Sequence, residues 1–360
     1  MTEATTGSDL TTTIGLDLGD RKSSLCVLDH EGQVIERSEV VTSRAAMAHR
    51  FSGARAVVAL ETGTHSAWVT ELLQSQGHDV IVANPRKVRS ITANDSKTDR
   101  FDAEQLARLA RADRRLLSPI THRTQETRAD LAMVRARGAL VRSRTLLVNH
   151  IRGTLKSFGV RLPSCSTAVL PRRAAFKIPR ELRVALIPVL RNIADLTSQI
   201  VALDHVIERV GKTKYAATQK LRQVDGVGAV TSLTYVLTLE DPRRFATSRA
   251  VGAYVGLRPR QRQSGARNPE LHISKAGDRD LRRLLVQSAQ YILGPFGKDS
   301  DLRRTGLALA ARGGKSAKKR AVVAVARKLG VLLHRLWSSD EPYDPLRHAE
   351  GRNLPRRRRA

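Results

Sequence analysis

Aromatic residues make up only 4% of this 360-residue chain, and there are two cysteines, two tryptophans and three methionines. Each scarcity excludes something. With so few rings, stacking of bases on aromatic platforms is not the main mode of binding, and charge and helices carry recognition instead. Cys26 and Cys165 stand far apart. They form neither a disulfide framework nor a zinc-ligand set, and they fit a reducing cytoplasm. Long apolar spans are scarce, which argues against a membrane. The opening residues MTEATTGSDLTT are polar and acidic with no apolar run, so no secretion signal is expected there. Acids are also in short supply. There are 34 Asp and Glu against 63 Lys and Arg, a formal net charge of +29 and a pI near 11.3. A chain that basic works on a polyanion, with nucleic acid the default partner.

The acids that are present matter more for being few. In Ser96 to Ala110, SKTDRFDAEQLARLA, Asp99 and Asp102 lie three apart at the start of a helical pattern, so both project from one face. Leu106 and Leu109 continue that face inward. On this segment alone, acids complementing a helix dipole would explain the pattern. Upstream, TTIGLDLG, SLCVLD, QVIERSEV and ARAVVALE read as short β-type runs separated by turn residues. The first carries Asp17 among Ile14, Leu16 and Leu18, and a buried charge there needs a reason. The fourth ends on Glu61. A helix over Ser66 to Gln76, a strand over His78 to Asn84 and a basic link PRKVR complete a strand-rich then alternating pattern. That order predicts an α/β ribonuclease H-like domain over 13–120, following a disordered leader at 1–12. In such a fold Asp17, Glu61, Asp99 and Asp102 meet at one sheet edge. They would repel one another without a cation. Hard oxygen donors suit a pair of Mg²⁺ or Mn²⁺ ions roughly 3.5–4 Å apart, the arrangement that clamps a phosphoryl centre.

Over 121–215 the pattern becomes that of long helices. Val134, Val141, Val148 and Leu155 repeat every seven residues with Leu131 and Leu147 beside them, and Arg128, Arg135 and Arg142 form a parallel cationic stripe. Gly159 and the Leu-Pro at 162–163 stop this helix. A second helix, after Pro188, interleaves Leu186, Ile193, Ile200 and Ile207 with Val189, Leu196, Leu203 and Val210. This a/d seam predicts a coiled coil, folded back on the first helix or formed between protomers. The arginine stripe is assigned to a phosphate backbone. The basic loop Ser164 to Pro179 carries no decisive signal.

The region 216–338 opens with LRQVDGVGAVTSLTYVLTL, a helix-hairpin-helix-like turn at Gly226 and Gly228 whose second helix could hold a phosphate at its start. Then comes AYVGLRPRQRQSGARNPELHISKAGDRDLRRLLVQSA, where Ser264 and Gly265 sit in a turn-rich stretch with Arg260, Arg262, Arg267 and Lys275. Arginines there would stabilise charge developing on a phosphodiester, and His272 could serve as a base. From the residues alone Ser264 is an ordinary loop serine. The basic tail 339–360, with RRRR at 356–359, is peripheral and disordered or backbone-binding.

Three stretches, GLDLGDRKSSLCVLD, VALETGTHSAWVTELLQSQGHDVIVANPRKV and SKTDRFDAEQLARLAR, resemble the insertion-sequence-110 family of DEDD transposases. The resemblance continues through AYVGLRPRQRQSG, ISKAGDRDLRRLLVQSA and KSAKKRAVVAVARKLGVLLHRLW, so it runs from about Thr13 to about Trp337. It implies a RuvC-like N-terminal domain whose DEDD acids are Asp17, Glu61, Asp99 and Asp102, and a C-terminal transposase domain whose SG serine, the proposed nucleophile, is Ser264. It also implies a covalent serine–DNA link, a metal site and a serine brought together across protomers of a dimer or tetramer, action in the bacterial cytoplasm at the nucleoid, and a structured bridge RNA that pairs with target and donor DNA. A surplus of cations without a major-groove reading motif suits a protein that delegates sequence choice to a guide. Two rival enzymes share the fold. One is an actin-like ATPase, suggested by GLDLG but opposed by the +29 charge and by the lack of a recognisable Gly-rich adenosine segment. The other is a junction-resolving endonuclease using the four acids and water, for which Ser264 would be dispensable. A non-enzymatic helix-hairpin-helix DNA binder leaves Asp17 unexplained.

Overall fold

The computed structural model describes residues 12–88, 99–263, 269, 271–339 and 341–348, with the side chains of residues 87, 88, 99 and 100 outside that description. The chain divides into two compact units, Met1–His122 and Arg123–Ala360. The leader and the RRRR tail lie outside the described residues.

The first unit is built on a mixed sheet. Strands β1 (Thr13–Asp17), β2 (Lys22–Leu28) and β3 (Val34–Val41) form an antiparallel meander; helix α1 (Arg44–Arg50) follows, then β4 (Val57–Glu61), α2 (Ser66–Ser75), β5 (Asp79–Ala83), the single turn α3 (Pro85–Val88) and α4 (Asp99–Ala112). The strand order is β3-β2-β1-β4-β5, and β4 and β5 run parallel to β1. Crossovers between parallel strands need helices, and α2 supplies the one from β4 to β5. Alternation sorts the side chains. Ile14, Leu16, Val58, Leu60 and Val82 face Met47, Phe51, Val69 and Leu73 of α1 and α2. The opposite face is lined by small residues, and α4 covers it: Ala59, Ile81 and Ala83 meet Leu106 and Ala110, while Cys26 and Leu28 meet Ala103 and Ala107.

The second unit is helical. Its first helix, α5 (Gln125–Ser157), starts at Thr124, whose hydroxyl accepts from the Thr127 N–H. After α5 the chain turns left-handed at Gly159, φ +75°. The short α6 (Leu170–Ala175) leads to α7 (Arg183–Thr213). The second long helix therefore begins before Pro188, not after it. Pro188 lies exposed inside α7, as its sixth residue, so the helix runs through it at the cost of the bond its N–H would have made to the Val184 carbonyl. α5 and α7 form an antiparallel hairpin within the chain: Glu126 pairs with Lys214, Arg137 with Asp204, and Arg144 donates to Thr197. Of the seam, Leu186, Ile193, Ile200 and Ile207 are buried, whereas Val189, Leu196, Leu203 and Val210 are half-exposed. Among the described residues one helix, 180–213, is long and apolar enough to cross a membrane by length and composition. Here that helix packs its apolar stripe on α5, and its Asp204 makes a bidentate pair with Arg137.

Beyond α7 follow α8 (Ala217–Leu221), α9 (Ala229–Leu239), α10 (Ser248–Tyr254), α11 (Arg279–Leu293), α12 (Asp301–Ala311) and α13 (Ala317–Ser338). Between α8 and α9 the chain turns at Gly226, φ +80°. From Thr231 to Leu239, α9 is buried at every residue, so it is the central helix of this unit. It packs Leu233 and Leu237 against Leu131 and Val134 of α5 and Ile207 of α7. Its other side joins the core of α10, α11 and α13, where Tyr235 donates to the Gly330 carbonyl at 2.7 Å.

Candidate active site

Asp17 and Glu61 terminate adjacent parallel strands. Leu16 is in register with Leu60, so the two acids leave the sheet side by side. Both share the parity of Gly15 and Ala59, which places them on the face covered by α4. Gly15 is what lets that helix in. A Cβ at Gly15 would lie 1.8 Å from the Ala103 carbonyl oxygen, so α4 rests directly on the β1 backbone. The direction of α4 follows from its two ends. Arg111, in its last turn, donates to the His30 carbonyl and lies over Gly32 in the β2–β3 turn, beside the start of β1. Its first turn therefore lies toward the end of β1, where Asp17 is. Asp102 stands beside the Ala103 contact and is half-buried, like Asp17 and Glu61. Asp99 heads the helix; its side chain lies outside the described residues.

The structure thus brings Asp17, Glu61 and the Asp99–Asp102 turn to one sheet edge. Among the described residues no group of three or more His, Cys, Asp or Glu side chains is drawn together tightly enough to hold a metal ion. The donor chemistry suits a hard divalent cation: carboxylates only, on two strand ends and one helix turn, on the side of the sheet where α4 closes down.

An ion pair locks α4 in this position. Glu104 accepts from Arg37 of β3 and from Arg108 one turn on. The Arg37 hydrogen bond holds the Glu104 carboxyl below the usual carboxylate range, with Arg108 assisting against the opposing effect of burial. Beneath the helix, burial pushes the Cys26 thiol up and keeps it neutral.

Two further residues lie on loops leaving the same edge and were not singled out from the sequence. His65, after β4, accepts from Trp68 Nε1 at Nδ1 (3.1 Å) and turns Nε2 toward Asp20, after β1, at 3.6 Å. The Trp68 bond fixes the tautomer with its proton on Nε2. The signal available was their spacing, three residues after Asp17 and four after Glu61.

In the second unit, Ser264, Gly265 and Arg267 lie outside the described residues. The segments on either side of them do not. Pro259 bridges Ile273 antiparallel, the Arg260 N–H donates to the His272 carbonyl and the Ser274 N–H to the Arg258 carbonyl, forming the two legs of an arm. At its base Gly256 and Gly277 take positive φ where a Cβ would strike the facing backbone at 2.2 Å and 2.0 Å. Arg282 of α11 clamps that base, donating to the carbonyls of Val255 and Ala276. Lys275 sits there in the left-handed region, φ +54°. Arg260, Arg262 and His272 are exposed along the legs. Of the α5 stripe, Arg135 pairs with Asp278 and Arg142 with Asp280, both at the start of α11, while Arg128 is half-buried.

Comparison with known proteins fits both halves. Residues 14–159 match a DEDD-type IS110 transposase model, and residues 218–299 match a model of the transposase IS116/IS110/IS902 family. The chain is 30% identical to the transposase for insertion sequence element IS1328 of Yersinia enterocolitica, over 78% of its own length and 83% of the relative's. It is 30% identical to a probable family 20 transposase of Pseudomonas aeruginosa, over 92% and 98%. It is 28% identical to the transposase for insertion sequence element IS1111A of Coxiella burnetii, over 92% and 90%.

Proposed function

Because the chain belongs to the IS116/IS110/IS902 family of transposases, we propose that it cuts and rejoins DNA strands with a DEDD metal site in the first unit and Ser264 as nucleophile in the second. The observation that carries this reading is the sheet edge itself: Asp17 and Glu61 end neighbouring strands, and α4, seated on Gly15, brings the Asp99–Asp102 turn toward them. The first unit is read as RuvC-like. The four carboxylates would hold Mg²⁺ or Mn²⁺, which supplies electrostatic stabilisation of the phosphoryl oxygens when bound.

This chain's own residues then do the following. The acids would hold the cation against which the scissile phosphodiester comes to lie at the sheet edge. The Ser264 hydroxyl attacks phosphorus and gives up its proton, with His272, eight residues on in the sequence, as candidate acceptor. The sugar oxygen leaves, and the strand remains as a phosphoserine ester. Attack by the sugar hydroxyl of the exchange partner reverses these steps, so the bond energy is conserved and no nucleotide is consumed. Arg260, Arg262, Arg267 and Lys275 hold phosphates around the serine. A structured guide RNA selects the sites by base pairing, the protein supplying backbone contacts. The enzyme works as a homodimer or tetramer in the cytoplasm, at the nucleoid.

The test is strand nicking of a plasmid carrying the element ends, with RNA transcribed from the element's flanks. Wild type should nick with Mg²⁺ and not with EDTA. Asp102→Ala should bind the DNA but leave it intact; an Asp102→Ala protein that nicks at the wild-type rate would contradict the metal site.

A further inference from the structure

Residues of α10, α12, α13 and the stretch 343–348 line a groove of about 1310 Å³ whose lining is rich in cations. Arg249 of α10 and Arg327 and Lys328 of α13 are exposed in it, and among the described residues none of them makes an ion pair. Arg335, two turns further along α13, lines the same groove.

The groove is built rather than incidental. Gly252 of α10 leaves the space that Arg327 fills: a Cβ there would lie 3.1 Å from Arg327 Cγ and 3.3 Å from Nε. His334 is buried between the helices. Its Nε2 donates to the Pro242 carbonyl and its Nδ1 accepts from Ser248, the first residue of α10. The opposite wall is pinned by backbone bonds: the Asp301 N–H donates to the Pro345 carbonyl at 2.7 Å, and the His348 N–H to the Asp301 carboxylate at 2.9 Å. Asp301 and Asp344 are the acids of the lining, and Asp344 likewise accepts a backbone N–H, that of Leu346. Arg249 and Arg327 also line a second cavity of about 500 Å³, together with Arg258, Pro259 and Gln261 on the arm leg that leads to Ser264.

We propose that this groove holds the sugar–phosphate backbone of the DNA strand adjoining the scissile phosphate, an inference that rests on Ser264 being the nucleophile. Arg327 and Arg335 are eight residues apart on one helix, about 12 Å along its axis. That is the length of three to four nucleotides at about 3.4 Å each. Recognition is independent of sequence, because the groove offers charge and guanidinium forks to phosphates.

The test is fluorescence anisotropy of the full-length protein with a labelled 30-base-pair duplex of arbitrary sequence, without metal, so that strand chemistry does not enter. The triple variant Arg249→Ala, Arg327→Ala, Lys328→Ala removes three exposed cations. Arg172→Ala, Arg173→Ala, Lys177→Ala removes three exposed cations on and beside α6 and controls for net charge. The groove variant should bind at least about tenfold more weakly at physiological salt, its salt slope falling by about 2.7 at about 0.9 per lost phosphate contact. The control should change less than about twofold, and melting curves should show both variants folded. Restoring Lys at 249 and 327, with Lys328 intact, should recover most of the binding. Equal loss in groove and control variants would overturn the proposal. So would unchanged DNA binding with loss confined to an RNA duplex of the same sequence. If the groove variant loses DNA while a Ser264→Ala protein still forms a covalent DNA product, the groove stands and the serine reading falls.

Discussion

Adding one methyl group at Gly15 should disarm the first unit without unfolding it. In the Gly15→Ala protein the new Cβ starts 1.8 Å from the Ala103 carbonyl oxygen and 2.8 Å from the Ala107 nitrogen, both backbone atoms that no rotamer change can move. Relieving the closer contact to 3.0 Å requires α4 to recede from β1 by about 1.2 Å, and overpacking of this kind costs about 1–3 kcal/mol. The Arg37–Glu104 pair resists that shift but ties only the middle of the helix. The first turn carries Asp99 and Asp102, and a misplacement of about 1 Å in a catalytic group costs roughly 10²-fold in rate. Nicking of the plasmid substrate should fall by about that factor, while DNA affinity stays within about twofold because the groove and arm belong to the other unit. Gly53→Ala is the control: a Cβ there meets nothing within 4 Å, so rate and stability should hold. A Gly15→Ala protein that nicks at the wild-type rate would refute the claim that α4 sets the geometry of the acids.

Three more predictions come from contacts elsewhere. Glu104→Gln should destabilise near pH 7 and have little effect well below the ordinary carboxylate pKa of 4.5: the Arg37 bond lowers the folded-state value, so this stabilisation is present above the unfolded value and is lost as pH falls through the folded one. Urea midpoints of mutant and wild type across that range check it, and a parallel offset at every pH would contradict it. Buried His78 accepts from the Ala56 N–H (3.2 Å) and bonds the Phe51 carbonyl (2.7 Å), so His78→Ala strands two buried groups and should cost about 2–4 kcal/mol in urea unfolding. An effect below about 1 kcal/mol would show that these bonds do not tie the starts of β4 and β5 together. Arg282→Ala frees the base of the arm and should cut the yield of protein-linked DNA at least about tenfold with the duplex affinity unchanged. An unchanged yield would mean that the arm does not need its clamp.

What could be read beforehand followed from short-range pattern. The alternation in GLDL and VVALE marks strands ending on Asp17 and Glu61, and the i, i+3 spacing of Asp99 and Asp102 marks the head of a helix; these local rules place the acids at element ends. That Asp17 and Glu61 share a face follows from strand parity once β1 and β4 are paired. The closeness of α4 was hidden, because the glycine that permits it looks like any turn glycine in GLDLG. The helix α1 was also missed: RAAMAHR is too short for a helical period to repeat. Pro188 marks a helix boundary in sequence, yet α7 starts five residues ahead of it and runs through it, held by the packing of Leu186, Leu190 and Ile193. In the α5 stripe, Arg135 and Arg142 face Asp278 and Asp280, acids more than a hundred residues away that no local pattern couples to them. The groove was invisible for the same reason, with Arg249 and Arg327 meeting only because Gly252 and His334 bring α10 onto α13.

The central claim is that metal-site acids and a serine act together, and one denaturing gel tests it most directly. Purified protein is incubated with Mg²⁺, labelled element-end DNA and RNA from the flanks, and wild type is compared with Ser264→Ala. The account predicts a protein-linked DNA band that is present in wild type and absent in Ser264→Ala. Free cleaved ends of equal intensity from both proteins, with no linked band, would contradict it and leave a hydrolase that uses the acids and water alone.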